Sequence, residues 1–257
     1  MASWAPLIAP LPSASAQPCP NVEVVFARGT TEEGVGPTGQ AFVDSLRARG
    51  GTKSIGVYPV NYPATTDWPT AIDGVRDASA HVRSTVANCP KTEVVLGGFS
   101  QGAAVMGFVT ANAVPDGVTV SDVPPPMPPE VANHVAAVAL FGKPNDRFMR
   151  AINQPMIAVG PLYAPKTIEL CVPDDPICSS GMDFNAHMQY AETGMVDQAA
   201  TFTATHLVAN PAPAAPPQPP APAAPPPAPA APPQPQHPLA PGTLLMCTTT
   251  CSVIAPT

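Results

Sequence analysis

Val94-Val95-Leu96-Gly97-Gly98-Phe99-Ser100-Gln101-Gly102-Ala103-Ala104 is the stretch on which the reading of this chain turns. An apolar run ends in Gly-Phe-Ser-Gln-Gly and good helix formers follow, which places the G-x-S-x-G pattern where a buried strand breaks sharply into a helix. Gly98 and Gly102 stand where such a turn brings two backbones close and a side chain would block the approach. Ser100 then projects from the tip of the turn, with the backbone N–H of Gln101 facing the same space. The pentapeptide alone also describes a Gly-rich connection carrying a solvated serine. Its position between strand and helix is what gives it weight.

Working outward, Val22–Phe26 is a short β-rich run that opens into Ala27-Arg28-Gly29-Thr30-Thr31-Glu32 and a Gly-rich loop. Pro37 starts a helix with Ala41, Phe42, Ser45 and Leu46 on one face, and Gly50-Gly51 ends it. Ser54–Val60 is a second strand. Pro69 opens a long helix to about Asn88, Thr92–Leu96 is the strand that leads to Ser100, and the helix beyond runs to about Ala113. The proline-dense excursion from Val114 to Glu130 excludes regular structure and reads as an inert surface loop, with one wall of a binding groove as the alternative. Val135–Phe141 and Thr167–Leu170 are further strands, Pro155–Val159 is an irregular strand or a loop, and an amphipathic helix runs from near His187 to about His206. Nearly all-apolar strands alternating with helices indicate a parallel sheet covered on both faces. Functional residues in such sheets lie beyond the carboxyl ends of the strands. The loops carrying Thr30, Ser100 and Cys171 all follow strands, so they share one edge.

Composition bounds the rest. The chain has 257 residues, net charge −7 and only 11% charged residues, with no Lys/Arg cluster able to neutralise phosphates, so nucleic acid is not an expected partner. No apolar run reaches the ~18 residues that span a bilayer as a helix. Between Pro211 and Pro241, sixteen of 31 residues are proline and most of the others alanine. Such a segment lacks large apolar side chains and most backbone donors, and is expected to be an extended spacer of at most roughly 100 Å. Met1–Ala16 is Ala/Ser/Pro-rich and ends in Ala14-Ser15-Ala16, without a positive n-region or a long apolar stretch, and reads as a trimmed export signal. Three parts follow: residues 1–18, a folded domain over 19–208, and a tail over 209–257. Six cysteines fit an oxidising compartment, hence a secreted protein.

A serine hydroxyl at neutral pH needs a base within hydrogen-bond reach, itself oriented by a third group. His81 lies inside the long helix, His134 precedes a strand and so sits at the wrong edge, His206 ends the last helix, and His237 is in the proline block. His187 follows the fifth strand and its loop and is the best base. That loop, Cys171-Val172-Pro173-Asp174-Asp175-Pro176-Ile177-Cys178, brings two carboxylates, and a Cys171–Cys178 bridge would hold one of them still. Spacing alone does not choose between Asp174 and Asp175. The chain order Ser, Asp, His is that of α/β-hydrolases.

With these motifs in hand the chain resembles the cutinase family of serine esterases, in its actinobacterial, mycobacterial-like group. The likeness rests on Ala27–Glu32, Gly98–Gly102, Cys171–Cys178 and Ala186-His187, and it spans nearly all of residues 19–208. It implies an α/β-hydrolase fold with a central five-stranded parallel sheet flanked by helices and no large lid. It also implies Ser100 as nucleophile, Asp175 as acid, His187 as base, and Thr30 and Gln101 as the oxyanion hole. Cys19 and Cys89 occupy the family's first-bridge positions. Arg28 and Glu32 are expected to brace the Thr30 loop by an ion pair. Substrate would meet a shallow apolar groove between the Tyr62–Trp68 and Gly181–His187 loops, with Trp68, Met182 and Phe184 as walls or as partly buried supports. No HExxH, Cys/His zinc pattern or phosphate loop occurs, so neither metal nor cofactor is expected.

The expected function is a secreted, monomeric esterase acting on cutin-type polyester, short- to medium-chain acyl esters or lipid esters through an acyl-enzyme. An acetyl-polysaccharide esterase is its nearest rival, and a catalytically vestigial cell-envelope binding protein is the alternative from another class. The proline block would serve as a stalk for envelope association. Cys247 and Cys251, beyond it, would bridge each other, cross-link two chains or stay unpaired.

Overall fold

The computed structural model describes residues 19–115, 118 and 123–209, together with the backbone of 247–248 and 250–251. Five strands, β1 (Val22–Ala27), β2 (Ile55–Pro59), β3 (Glu93–Phe99), β4 (Val135–Phe141) and β5 (Thr167–Leu170), form one parallel sheet in the order β2-β1-β3-β4-β5. From β1 the chain steps outward to β2, and from β3 it steps the opposite way to β4. The β1/β3 pair is therefore the topological switch point of the sheet, where side chains on the following loops converge. Its register sets Ala27 beside Gly98, so the loops after β1 and β3 leave the sheet side by side.

Alternation along these strands feeds two cores. Val25 and Ala27 of β1 join Leu96, Val138 and Leu140 beneath α2 (Ala71–Asn88) and α3 (Gln101–Val109). Val22, Val24 and Phe26 join Val95, Phe99 and Phe141 beneath α1 (Gly36–Arg49) and α6 (Met195–Ala209). Phe26, Phe42 and Phe141 form a three-ring cluster with centroids 5.6–6.4 Å apart. A disulfide joins Cys19 to Cys89 across 70 residues, tying the start of β1 to the end of α2. By chain entropy a loop of that size is worth about 4 kcal/mol.

Several boundaries differ from expectation, each for a local reason. β3 runs on through Gly97-Gly98-Phe99 to Ser100, because both glycines are buried in the sheet under neighbouring backbone and rings. The helix expected from Pro69 opens as a 3-10 turn over Trp68–Thr70. α3 stops at Val109, where the Thr110 hydroxyl donates back to the Met106 and Gly107 carbonyls. Residues 154–160 carry no regular structure. Where the excursion ends, α4 (Pro129–Ala132) forms a single turn, and α5 (Asp146–Ala151), capped by the Asn145 side chain, follows β4. No helix begins near His187. Ala186–Met188 is a 3-10 turn, and Gly194 at φ +76° separates it from α6.

In the tail, β6 (Cys247–Thr248) and β7 (Thr250–Cys251) pair antiparallel with Cys247 opposite Cys251. The export-signal and proline-spacer readings lie outside the described residues, as do the side chains of these two cysteines.

The approach of α3 to β1 depends on one missing side chain. A Cβ on Gly102 would overlap the Ala27 carbonyl, which is rigid backbone. Gly102→Ala is expected to cost about 3 kcal/mol or more, read as a lower urea midpoint, and an unchanged midpoint would contradict the packing.

Candidate active site

Ser100 is the N-cap of α3 and sits at φ 55°, ψ −118°, a left-handed conformation that costs a non-glycine residue about 1–3 kcal/mol and persists only when its surroundings impose it. Here its N–H donates to Phe141 O at 2.9 Å and its carbonyl accepts from Ala104 N at 3.1 Å. A Cβ on Gly98 would meet the Gly102 backbone. The turn is therefore held from both sides, and its side chain is directed at the loop after β5.

That loop supplies the partners. His187 Nε2 lies 2.8 Å from Ser100 Oγ, and His187 Nδ1 lies 2.8 Å from Asp175 Oδ2. All three side chains are buried. The imidazole stacks on Phe99, centroids 4.9 Å apart, which fixes its plane. The structure also separates the two aspartates. Asp174 is exposed at φ +67° in the turn, whereas Asp175 has no solvent exposure and faces the imidazole. Burial pushes the Asp175 carboxyl up, but hydrogen bonds from His187, Tyr190 and the Ile177 N–H outweigh it and hold the group below the ordinary carboxylate range. A Cys171–Cys178 disulfide closes the loop. Those two cysteines and Asp175 are the one grouping of metal-ligand atoms among the described residues, and with both sulfurs in the bridge it offers no thiolate.

The Thr30 loop is braced, though not by the expected ion pair. Arg28 spends its guanidinium on the carbonyls of Glu32, Val60 and Tyr62, while lying 4.9 Å over the Tyr62 ring. Glu32 instead accepts the Gly29 N–H at 2.7 Å. A planar five-donor group saturates three converging backbone carbonyls, which a carboxylate contact would not. Burial raises the Glu32 carboxyl above its usual range, against the pull of the Gly29 N–H, His187 and Arg28.

The segment Val60–Thr65, read from the sequence as a strand end and part of one side of the substrate groove, also serves as a backplate for the Thr30 loop. Its Ala64 carbonyl takes the Thr31 N–H at 2.7 Å, and its Thr65 carbonyl takes the Gln101 side-chain amide at 2.9 Å. Tyr62 donates its hydroxyl to Arg28 O. The N–H groups of Thr30 and Gln101 are left without a protein acceptor among the described residues.

Around this point the Gly181–His187 loop presents apolar surface: Met182 is 77% exposed, Phe184 64% and the adjoining Met188 65%. Trp68 is placed differently. It packs on Phe148, centroids 5.6 Å apart, and lines a separate cavity of about 280 Å³ with Ile72 and Phe108, two turns along α3 from Ser100. It is half-buried, and neither Met182 nor Phe184 lines that cavity. Val114, Pro115 and Val123–Pro126 line the same cavity, so the excursion covers an apolar hollow beside α2 and α3.

Comparison with known proteins accords with this architecture. The family model described as Cutinase matches residues 18–207. The chain is 63% identical over 166 residues to the probable carboxylesterase Culp5 of Mycobacterium tuberculosis, covering 65% of this chain and 95% of that protein. It is 50% identical over 199 residues to carboxylesterase Culp1 of Mycobacterium bovis, covering 76% and 85%. Among solved structures, a Trichoderma reesei cutinase in complex with a phosphonate inhibitor superposes with a TM-score of 0.56 at 30% identity, covering 74% of this chain and 78% of that one.

The Arg28 brace carries a kinetic consequence. Lysine keeps the charge but cannot satisfy three carbonyls from one plane. Arg28→Lys is expected to slow covalent labelling of Ser100 by an alkyl phosphonate about tenfold or more, with far-ultraviolet circular dichroism unchanged. Labelling at the wild-type rate would show that the loop holds its donors without the guanidinium.

Proposed function

The chain belongs to the cutinase family, and from that premise we propose that it hydrolyses carboxylic esters through an acyl-enzyme on Ser100. The observation that carries the reading is the continuous hydrogen-bond chain from Ser100 Oγ through His187 to buried Asp175, set at the carboxyl ends of the strands. Asp175 accepts the Nδ1 proton and so leaves the Nε2 lone pair facing the hydroxyl. His187 takes the Ser100 proton as Oγ attacks the ester carbonyl. The tetrahedral oxyanion meets the free N–H groups of Thr30 and Gln101, each worth a few kcal/mol in the transition state, and the Thr30 hydroxyl is available as a third donor. His187 then protonates the leaving alcohol, and water activated by the same imidazole releases the acid.

The exposed side chains of Met182, Phe184 and Met188 support an ester carried on an acyl chain or an apolar surface over a small polar one. We further propose that the enzyme is an exported monomer and that the Pro/Ala block is a stalk for cell-envelope association, a reading supported by the sequence composition.

Turnover of p-nitrophenyl esters from acetate to palmitate is expected in wild type, peaking between butyrate and octanoate, and is expected to fall to background in Ser100→Ala. Activity on acetate alone would favour a polysaccharide deacetylase. No Ser100-dependent turnover, together with no phosphonate adduct on Ser100, would leave a binding role. For the stalk, truncation after Ala209 should release the enzyme from the envelope fraction with its activity intact, and unchanged fractionation and solubility would refute it.

A further inference from the structure

Tyr190 plays no part in the chemistry just described, yet its phenol meets the catalytic carboxylate. The residue has no solvent exposure, and its hydroxyl lies 2.6 Å from Asp175 Oδ2, the oxygen that also faces His187 Nδ1. The direction of that bond is forced. The hydroxyl already accepts the Val172 N–H at 3.2 Å. Its other close neighbour, Cys178 Sγ at 3.2 Å, belongs to the Cys171–Cys178 bridge, so it has no proton to give and accepts only weakly. The phenolic proton is thereby committed to Asp175. The second carboxylate oxygen, Oδ1, accepts the Ile177 N–H at 2.8 Å. The carboxylate is pinned at both oxygens, and one of them is shared between the imidazole and the phenol.

The ring is held as firmly as the hydroxyl. It packs edge-on against Phe99, Phe141 and His187, centroids 5.5–6.2 Å apart. The space it occupies is kept open by Gly142 at φ +58°, where a Cβ would come within 2.9 Å of the Tyr190 hydroxyl and 3.1 Å of His187 Cε1. Filling this hollow needs only a ring. Supplying the proton needs the hydroxyl.

From this geometry we infer that Tyr190 is a positioning residue of the Ser-His-Asp machinery, acting through Asp175. The inference rests on the triad reading above. The phenol does two things at once. It fixes carboxylate rotation so that Oδ2 stays on the Nδ1 side, which preserves the imidazole tautomer that leaves Nε2 free for Ser100. It also draws part of the carboxylate's charge away from His187, so that the imidazolium formed during attack is stabilised without being trapped. The titratable groups facing the pair are Tyr190 itself and Glu32, which interacts electrostatically with His187 from the Thr30 loop.

Tyr190→Phe keeps the ring and removes the proton. The variant is expected to fold with both disulfides intact, to lose about tenfold in kcat with KM within about twofold, and to show the acidic limb of kcat/KM moved upward by about half a pH unit. In the Asp175→Asn background the same substitution should have little further effect, because the charge it tunes is gone. A readout independent of turnover is the low-field Nδ1–H proton resonance of His187, which should move further downfield in Tyr190→Phe as Oδ2 loses its competing donor. Unchanged kinetics and an unmoved resonance would overturn the proposal. So would a rate loss that leaves both the acidic limb and the resonance in place, since that pattern belongs to a packing residue. If wild type lacks Ser100-dependent turnover, the esterase reading fails, and the resonance alone still decides whether Tyr190 governs the Asp175–His187 bond.

Discussion

Everything at the site depends on how closely two backbones approach where the sheet changes direction. Parallel pairing sets Ala27 of β1 beside Gly98 of β3, and α3 then turns back over the same spot with Gly102 against the Ala27 carbonyl. Two missing side chains permit that contact. With it in place, Ser100 has only one way out of the strand, the left-handed backbone at φ 55°. The strain is local and is offset by the burial of strands whose Val, Leu and Phe side chains each contribute about 1.5–3 kcal/mol when fully removed from water. A serine directed away from the sheet, and an N–H donor beside it, follow from packing rather than from any feature of the serine itself.

The second constraint is that a loop must hold oriented donors without a strand to hold the loop. The Thr30 segment is polar and Gly-rich, so few apolar contacts order it. Polar contacts to one backplate do this instead. Arg28, Thr31 and the Gln101 side chain all end on carbonyls between Val60 and Thr65, apart from the Arg28 bond to Glu32 O. In the proposed mechanism the two oxyanion donors belong to Gln101 and to Thr30, the neighbour of Thr31, so both are tied to this one short segment. Preorganised donors of this kind lose nothing to reorganisation when charge develops.

These two constraints also explain what could be read from the sequence. The strand–turn–helix around Ser100 was legible because it is local: hydrophobic run, glycines and helix formers fall within eleven consecutive residues. The choice of His187 followed from chain order against sheet edges. The choice between Asp174 and Asp175 did not, because adjacent residues differ only in backbone direction, and a single left-handed residue at Asp174 decides which carboxylate turns inward. The Arg28–Glu32 pairing was misjudged for a related reason. Opposite charges four residues apart invite an ion pair, while two of the three carbonyls that win the guanidinium lie more than thirty residues away and the third is the backbone of Glu32 itself. A helix was expected to begin near His187 because apolar spacing there mimics one, but Tyr190 and His187 are buried by the site and not by a helical face.

Tyr190 shows where a motif stops and a site continues. G-x-S-x-G, the Cys-bracketed aspartates and the histidine each have a signature in chain order, since each is fixed by the strand it follows. The phenol has none: it is one aromatic among several, three residues after the histidine, and nothing in its spacing marks it. It becomes conspicuous only in three dimensions. There, a carboxylate with two oxygens and no solvent exposure must find its hydrogen bonds among a few neighbouring groups. His187 and the Ile177 N–H supply two donors, and the phenol supplies the third. A carboxylate that must stay charged while buried is stabilised by the protein donors around it. The side chain that solvates it then also sets how much of its charge the imidazole receives.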